Sequence, residues 1–336
     1  MQFGFVPRRL MGFPSDSHPT KPFNEWFPDL VTVVHTAEQA GFQFMGVSHM
    51  QSLILLARYA AIPTKLRFVN ETLTLPMLDP VQLAPAAAYV DQMLDGRLDL
   101  GVSIGYRPWD LQAAGISRQD RVPKFIESIE IIKRMWTRSD VSFHGKYFNF
   151  DHLEPLARPV QKPHPPIVVS SQAHGSAARA GQLADGLCVA PAVYHADAVA
   201  LAETFRAAYE EAHGKPPTYV NARRDFYVGP DPRTASAQAG AREKYLQFGS
   251  EHDYIRGRMQ EKTGVKLHLD PVNDVGTDFA FCGTYAQMAE QLAAFQEKAK
   301  LTHITCSFYN LPDDMSARME FLQGFGEHVI PALRDK

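Results

Sequence analysis

Apolar residues along this chain keep two alternating rhythms, one with the spacing of a helix and one with that of a buried strand. The clearest case is 77–107. Asp79 stands ahead of Pro80, an N-cap followed by a residue whose fixed φ suits the first helical turn. Leu83, Ala87, Val90 and Leu94 then recur three or four positions apart, which predicts one buried stripe. Gly96 sits where a left-handed residue closes a helix. Two residues later the rhythm changes to Leu98, Leu100, Val102 and Ile104, a strand that runs out at Gly105, Tyr106 and Arg107.

The same alternation carries along the rest of the chain. It predicts a first strand at 2–6, a Pro-rich loop through 28 that holds Arg8, Arg9, His18 and Trp26, and a first helix at 30–40 ending on Gly41. The segment FQFMGVS is the second strand, 53–61 a helix and 66–75 the third strand. Phe125, Ile129, Ile132 and Trp136 make 121–136 a long core-packed helix, and 142–150 alternates aromatic and polar residues around Gly145 as a hairpin does. Strands five to eight fall at 167–170, 187–190, 224–228 and 303–307, with helices at 196–213, 234–248, 284–299 and 315–333. Segment 249–278, with Tyr254, Met259 and His268, breaks the rhythm and is long for a loop. It reads either as a lid over a substrate or as a short extra helix without catalytic duty. Strand and helix in alternation predict a parallel sheet with helical crossovers, and eight strands are what one closed ring requires.

Composition narrows the chemistry more than the fold. At 336 residues the chain could form one large barrel or two ordinary domains, and the pattern favours one domain over 1–336. A net charge of −3 without basic clusters gives no reason to expect nucleic acid or an anionic membrane as partner, so a small molecule is expected. No apolar run reaches the roughly 18 residues of a membrane helix, and Arg8 and Arg9 interrupt the first apolar stretch, which makes the cytoplasm the default location. Cys188, Cys282 and Cys306 are odd in number and far apart, which suggests neither a disulfide framework nor a thiolate metal site. The histidines lack HxxxH or HExxH spacing, neither GxGxxG nor GxxxxGK[ST] occurs, and no lysine ends a predicted strand. An organic cofactor must therefore supply reactivity that these side chains lack.

The run DPVQLAPAAAYVDQMLDGRLDLGVSIGYR resembles the signature that joins the third and fourth strands of a (β/α)8 barrel in the luciferase-like monooxygenase family. The likeness continues through RVPKFIESIEIIKRMW, FHGKYFNF, PVQKPHPPIVVS, ARAGQLADG and CGTYAQMAEQLAAF, in the family's order and over most of the chain. One departure stands out: the His frequent at the start of the family's helix is Asp79 here. The resemblance implies an α/β fold, a (β/α)8 TIM barrel with an insertion after strand 7 and a small hairpin before strand 5. It also implies reduced FMN delivered by a separate flavin reductase, a flavin C4a-hydroperoxide formed with O2, oxygenation of a small organic substrate, and a homodimer. The same resemblance leaves open a deazaflavin coenzyme with hydride transfer, or a flavin-binding protein without turnover. A flavin-free lyase or hydrolase on the same barrel is a further alternative.

A barrel of this kind carries its site at the carboxyl ends of the strands, which enumerates the candidates. His49 ends the second strand, where the resemblance puts a catalytic or flavin-adjacent His; local hydrogen bonds would explain it equally well. Thr72 and Thr74 lie near the end of the third strand, where the resemblance passes backbone beneath the isoalloxazine ring, although threonine is also an ordinary strand residue. Ser103 and Gly105 are small enough for a flat ring to approach. Tyr106, Arg107 and Trp109 follow, and an arginine beside aromatics suits a phosphate, a ring face or a plain salt bridge. In SSQAHGSAARAG, Ser170 and Ser171 end the fifth strand while Gly175 and Ser176 open the next helix, so amides and helix dipole could face an anion. Serine there is also an ordinary N-cap, and it is the resemblance that brings the flavin phosphate to this turn. The 13–26 loop and Tyr254 are expected to shape the substrate pocket.

Overall fold

The computed structural model describes residues 1–7, 22–47, 52–191, 193–229, 280–308, 311–312 and 314–334. In chain order the strands are β1 (Gln2–Val6), β2 (Phe44–Val47), β3 (Arg67–Asn70), β4 (Leu73–Thr74), β5 (Leu98–Ser103), β6 (Val141–His144), β7 (Asn149–Leu153), β8 (Ile167–Ser171), β9 (Gly186–Val189), β10 (Tyr219–Val228), β11 (Ala280–Gly283) and β12 (His303–Phe308). Pairing runs β10, β12, β1, β2, β3, β5, β8, β9 and back to β10, parallel throughout. The sheet is thus a closed ring of eight strands. Helices α1 (Phe23–Gln39), α2 (Ser52–Tyr59), α3 (Pro80–Met93), α5 (Arg121–Thr137), α6 (His174–Leu183), α7 (His195–His213), α8 (Tyr285–Ala299), α9 (Met315–His328) and α10 (Pro331–Arg334) surround it, and the short α4 (Pro108–Ala113) follows β5. This is the expected (β/α)8 barrel, with the expected antiparallel hairpin, β6 and β7, ahead of the fifth ring strand. The 249–278 insertion lies outside the described residues.

Local chemistry explains the boundaries. Asp79 Oδ1 accepts hydrogen bonds from the Val81 and Gln82 amides at 2.8 and 3.3 Å, so α3 begins at Pro80, and Gly96 takes φ +73° beyond its end. Pairing along β3 stops at Asn70, whose side chain donates to Gly101 O at 2.6 Å and accepts from Gly101 N at 3.0 Å. A Cβ on Gly101 would lie 1.9 Å from Asn70 O, so only glycine permits this clamp. The predicted third strand is therefore broken into β3 and β4.

Three other expectations shift. Helix α1 starts at Phe23, ahead of Pro28, because Trp26 and Leu30 share its buried face and their burial outweighs the hydrogen bond lost at proline. Trp26 is consequently a core residue rather than part of a pocket loop. Strand β10 begins at Tyr219, five residues before the expected start, and beyond Ala222, where β9 ends, the unpredicted β11 pairs with its Asp225–Val228 segment. The closing helix is interrupted at Val329, between α9 and α10.

Alternation along the ring strands separates two interiors. Phe5, Phe68, Leu100, Val169, Phe226 and Ile304 point outward and join the helices in one continuous apolar core. Their neighbours point into the lumen, where a different chemistry meets. At its amino end Arg67 Nε donates to Asp99 Oδ1 at 3.1 Å, and Tyr219 stacks on His303 with centroids 4.0 Å apart. Midway, Asn221 Nδ2 donates to Thr305 Oγ1 at 2.9 Å; near the carboxyl end Arg223 Nη1 meets Glu71 Oε2 at 2.7 Å.

Candidate active site at the barrel mouth

Strands β3, β5 and β8 are neighbours in the ring, so their carboxyl ends bring Thr72, Thr74, Ser103, Gly105 and Ser170 onto one arc of the rim. Thr74 and Ser103 are register partners. Gly105, at φ +76°, turns the chain so closely over Thr74 that a Cβ would sit 2.6 Å from Thr74 Cγ2. Tyr106 beside it is 48% exposed. The half-buried Arg107 lies 5.6 Å from the Tyr106 ring and 4.0 Å from Asp110, so both the aromatic and the salt-bridge reading of this arginine are realised.

The next turn joins β8 to α6. Ala173 holds the N-cap position and supplies no side-chain hydrogen bond to the helix opening, which no side chain caps among the described residues. Ser171 is buried, and its hydroxyl donates to Ala173 O at 3.0 Å and accepts from Ala173 N at 3.2 Å, so it shapes the turn. Gly175 is exposed, and a Cβ there would meet nothing within 4 Å, while Ser176 is half-buried one position further on. The positive end of the helix faces open space at this point.

Two arginines passed over in the sequence complete this side of the mouth. Arg121, first residue of α5, donates Nη1 to Gly105 O at 2.9 Å and so ties itself to the end of β5. Burial foremost, and then the like charges of Arg118 and Arg179, hold its pKa below the usual guanidinium value; burial does the same to Arg179. Cations gathered against their mutual repulsion are stabilised by an anion placed among them. Arg179 follows Gly175 by one helical turn, which was the available signal. Arg121 was concealed among the other charged residues of an amphipathic helix.

Beneath the rim, Glu71 and Arg223 form the upper end of the lumen. Arg223 Nε donates to Ser307 Oγ at 2.9 Å and Nη1 reaches Glu71, while Glu71 Oε1 and Arg223 Nη2 are buried without a hydrogen-bond partner among the described residues. Gly46 makes room for Oε1, since a Cβ there would approach it to 2.6 Å. Burial first, then the charge of Glu71, pushes the Cys188 thiol to about 12, which leaves it protonated and unreactive. Cys282 is likewise pushed to about 12, by burial and then by Asp225. His49, the remainder of the 13–26 loop before residue 22, and Tyr254 lie outside the described residues. Among the described residues no cluster of three or more His, Cys, Asp or Glu side chains could hold a metal ion, and no helix is long and apolar enough to cross a membrane.

The small residues of the arc fit a flat ring, and the uncapped helix with Arg121 and Arg179 fits a phosphate. Comparison with known proteins gives the family. A family model described as luciferase-like monooxygenase matches residues 8–300. Pyrimidine monooxygenase RutA of Cronobacter sakazakii is 25% identical over 303 residues, covering 85% of each chain. An F420-dependent hydroxymycolic acid dehydrogenase of Mycobacterium tuberculosis is 30% identical over 225 residues, which are 62% of this chain and 61% of that protein. The crystal structure of monooxygenase RslO1 from Streptomyces bottropensis superposes with a TM-score of 0.78 at 21% identity, covering 98% of this chain and 99% of the other.

Proposed function

The chain belongs to the luciferase-like monooxygenase family, and from that premise we propose that it is an FMN-dependent monooxygenase of the two-component type, acting on a small organic substrate. The observation that carries the reading is the pairing of two features on adjacent strand ends, a cationic, uncapped helix opening and an arc of small residues. Gly175, Ser176, Arg121 and Arg179 hold the phosphate; Thr72, Thr74, Ser103, Gly105 and Ser170 lie against the ring, with Tyr106 and Arg107 at its edge. Reduced FMN, when bound, supplies the electrons for O2 chemistry. His49 handles the proton at the reacting end. A separate reductase supplies the reduced flavin. We place the protein in the cytoplasm as one barrel domain that dimerises, a reading supported by the exposed apolar side chains Ile54 on α2 and Tyr89 and Met93 on α3.

Titration with FMN and with riboflavin tests this reading. Arg121→Ala and Arg179→Ala are each expected to weaken FMN binding at least tenfold, the scale of a hydrogen bond to a charged group, and to leave riboflavin, which has no phosphate, unaffected. Equal loss for both ligands moves the phosphate elsewhere. The relative in Mycobacterium tuberculosis favours a second reading, hydride transfer with a deazaflavin coenzyme, for which the same cationic turn serves as well. Oxygen uptake with reduced FMN supports the first reading. Substrate turnover with a reduced deazaflavin under anaerobic conditions supports the second.

A further inference from the structure

The hairpin of β6 and β7 is fastened at its tip to α5. Glu127 holds it: Oε1 accepts from the Lys146 amide at 2.7 Å, and Oε2 accepts from the Tyr147 and Phe148 amides at 3.0 and 3.3 Å. Gly145 permits this fit, because a Cβ there would lie 2.5 Å from Glu127 Oε2. Asp120 stands close to two helical turns ahead of Glu127 and so shares its face. The docked tip therefore presents Lys146 and Tyr147 to the Asp120 carboxylate. Lys146 Nζ lies 3.2 Å from Oδ1, the Tyr147 hydroxyl donates to the same oxygen, and Ser117 Oγ donates to Oδ2 at 2.5 Å.

These contacts divert Asp120 from two partners that its position invites. It occupies the N-cap position of α5, where an aspartate ordinarily accepts from the first helical amides, yet it makes no side-chain cap bond. It adjoins Arg121 and lies two residues from Arg118, yet among the described residues its ion pair is with Lys146 and with neither arginine. Ser117 first, then Tyr147 and Lys146, hold its carboxyl at about 2, so it carries a full negative charge at neutral pH. Asp120 is thus engaged by the hairpin, while Arg121 reaches Gly105 O at the end of β5. A carboxylate turned onto the arginines would offset part of the charge offered to a phosphate. Held on the hairpin, it leaves that charge available.

We propose that Ser117 and Tyr147 are positioning residues for the cofactor phosphate: they hold Asp120 away from Arg118 and Arg121, and so keep the cationic turn open to an anion. This rests on the reading of that turn as the phosphate site. The test measures FMN and riboflavin binding to the full chain by fluorescence quenching and takes the ratio of the two affinities, in which contacts to the ring cancel. Ser117→Ala combined with Tyr147→Phe removes both hydroxyls without altering net charge or the amides that Glu127 holds. The FMN advantage is expected to fall about threefold, the scale of one exposed charge pair, and the fall is expected to vanish in about 1 M salt, where screening is nearly complete. Adding Asp120→Asn is expected to restore the advantage, which a merely loosened hairpin would not do. An unchanged ratio in the folded double variant overturns the proposal, as does a ratio that Asp120→Asn fails to restore. Asp120→Asn alone decides the matter should the double variant not fold. It is expected to move the ratio less than about twofold, and a rise above about threefold, the mark of a carboxylate already paired with the arginines, overturns the proposal. Equal affinity of the unaltered protein for FMN and riboflavin removes the phosphate reading and this inference with it. An FMN advantage that the variants leave unmoved removes this inference alone.

Discussion

The lumen and the mantle of this barrel are built from the same strands, residue by alternate residue, yet they differ in almost every physical respect. Between strands and helices Phe325 packs among Phe3, Phe42, Phe226 and Phe308 with ring centroids 5.0 to 6.4 Å apart, and the neighbouring positions are aliphatic. Inside the ring, Arg67, Asp99, Asn221, Arg223, Glu71 and His303 are joined by directional contacts that cross from strand to strand. Apolar packing outside supplies stability in proportion to area. Polar partners inside add little net stability, because desolvation offsets much of their attraction, and their value is in fixed geometry. The division of labour therefore lies across the thickness of a single strand.

The comparison is open to direct tests. The largest effect belongs to the mantle, where Phe325→Ala is expected to destabilise the protein by about 3–5 kcal/mol in denaturant unfolding through the cavity it leaves; a loss under about 1 kcal/mol would mean that the aromatic cluster is not close-packed. Next comes Asp99→Leu in the lumen, expected to cost about 2 kcal/mol because it removes the carboxylate partner of Arg67, which keeps its bonds to Gly96 O, Leu98 O and Gln161. What distinguishes the two regions is coupling: Arg67→Met should cost clearly less in the Asp99→Leu background than alone, and strict additivity would show that the lumen pair acts as packing only.

The third test is an acid titration. His303 is held near 4 by burial first, then by the charges of Arg67 and the N-terminal amine. Its folded pKa lies below the unfolded value, so the unfolded chain takes up the proton first. The associated stability is complete above about pH 6.5 and declines as pH falls towards 4, amounting to about 2 kcal/mol lost by pH 5. His303→Phe keeps a ring against Tyr219 and should flatten that decline relative to the unaltered protein. Parallel stability curves between pH 7 and 5 would contradict the assignment.

Much of the mantle was legible from apolar spacing alone. The stripe Leu83, Ala87, Val90 and Leu94 is buried as its period requires, and Asp79 caps the helix it precedes. The lumen was not, because polar residues at every second strand position carry two meanings. In an open sheet they face water; in a closed ring they face one another. Asn221 and Arg223 were therefore left outside the seventh strand, although Val220 before them and Ala222 between them are buried in the mantle. The rim divides similarly. Small residues and glycines after strands pointed to Thr74, Ser103, Gly105 and Gly175, whereas Arg121 lies far along the chain from the turn it serves and no local period marks it.

Register pairs Gln2 with His303 and Val6 with Ser307, so the ring is sealed between the earliest and the latest of its strands. During synthesis β1 can find β2 within a few dozen residues, but its other edge waits for β12, about 300 residues further along the chain. Until then the inward charges of a part-built ring face solvent rather than each other. The lumen is thus the last part of the ring to acquire its native surroundings, because its facing charges meet only once β12 has docked between β1 and β10.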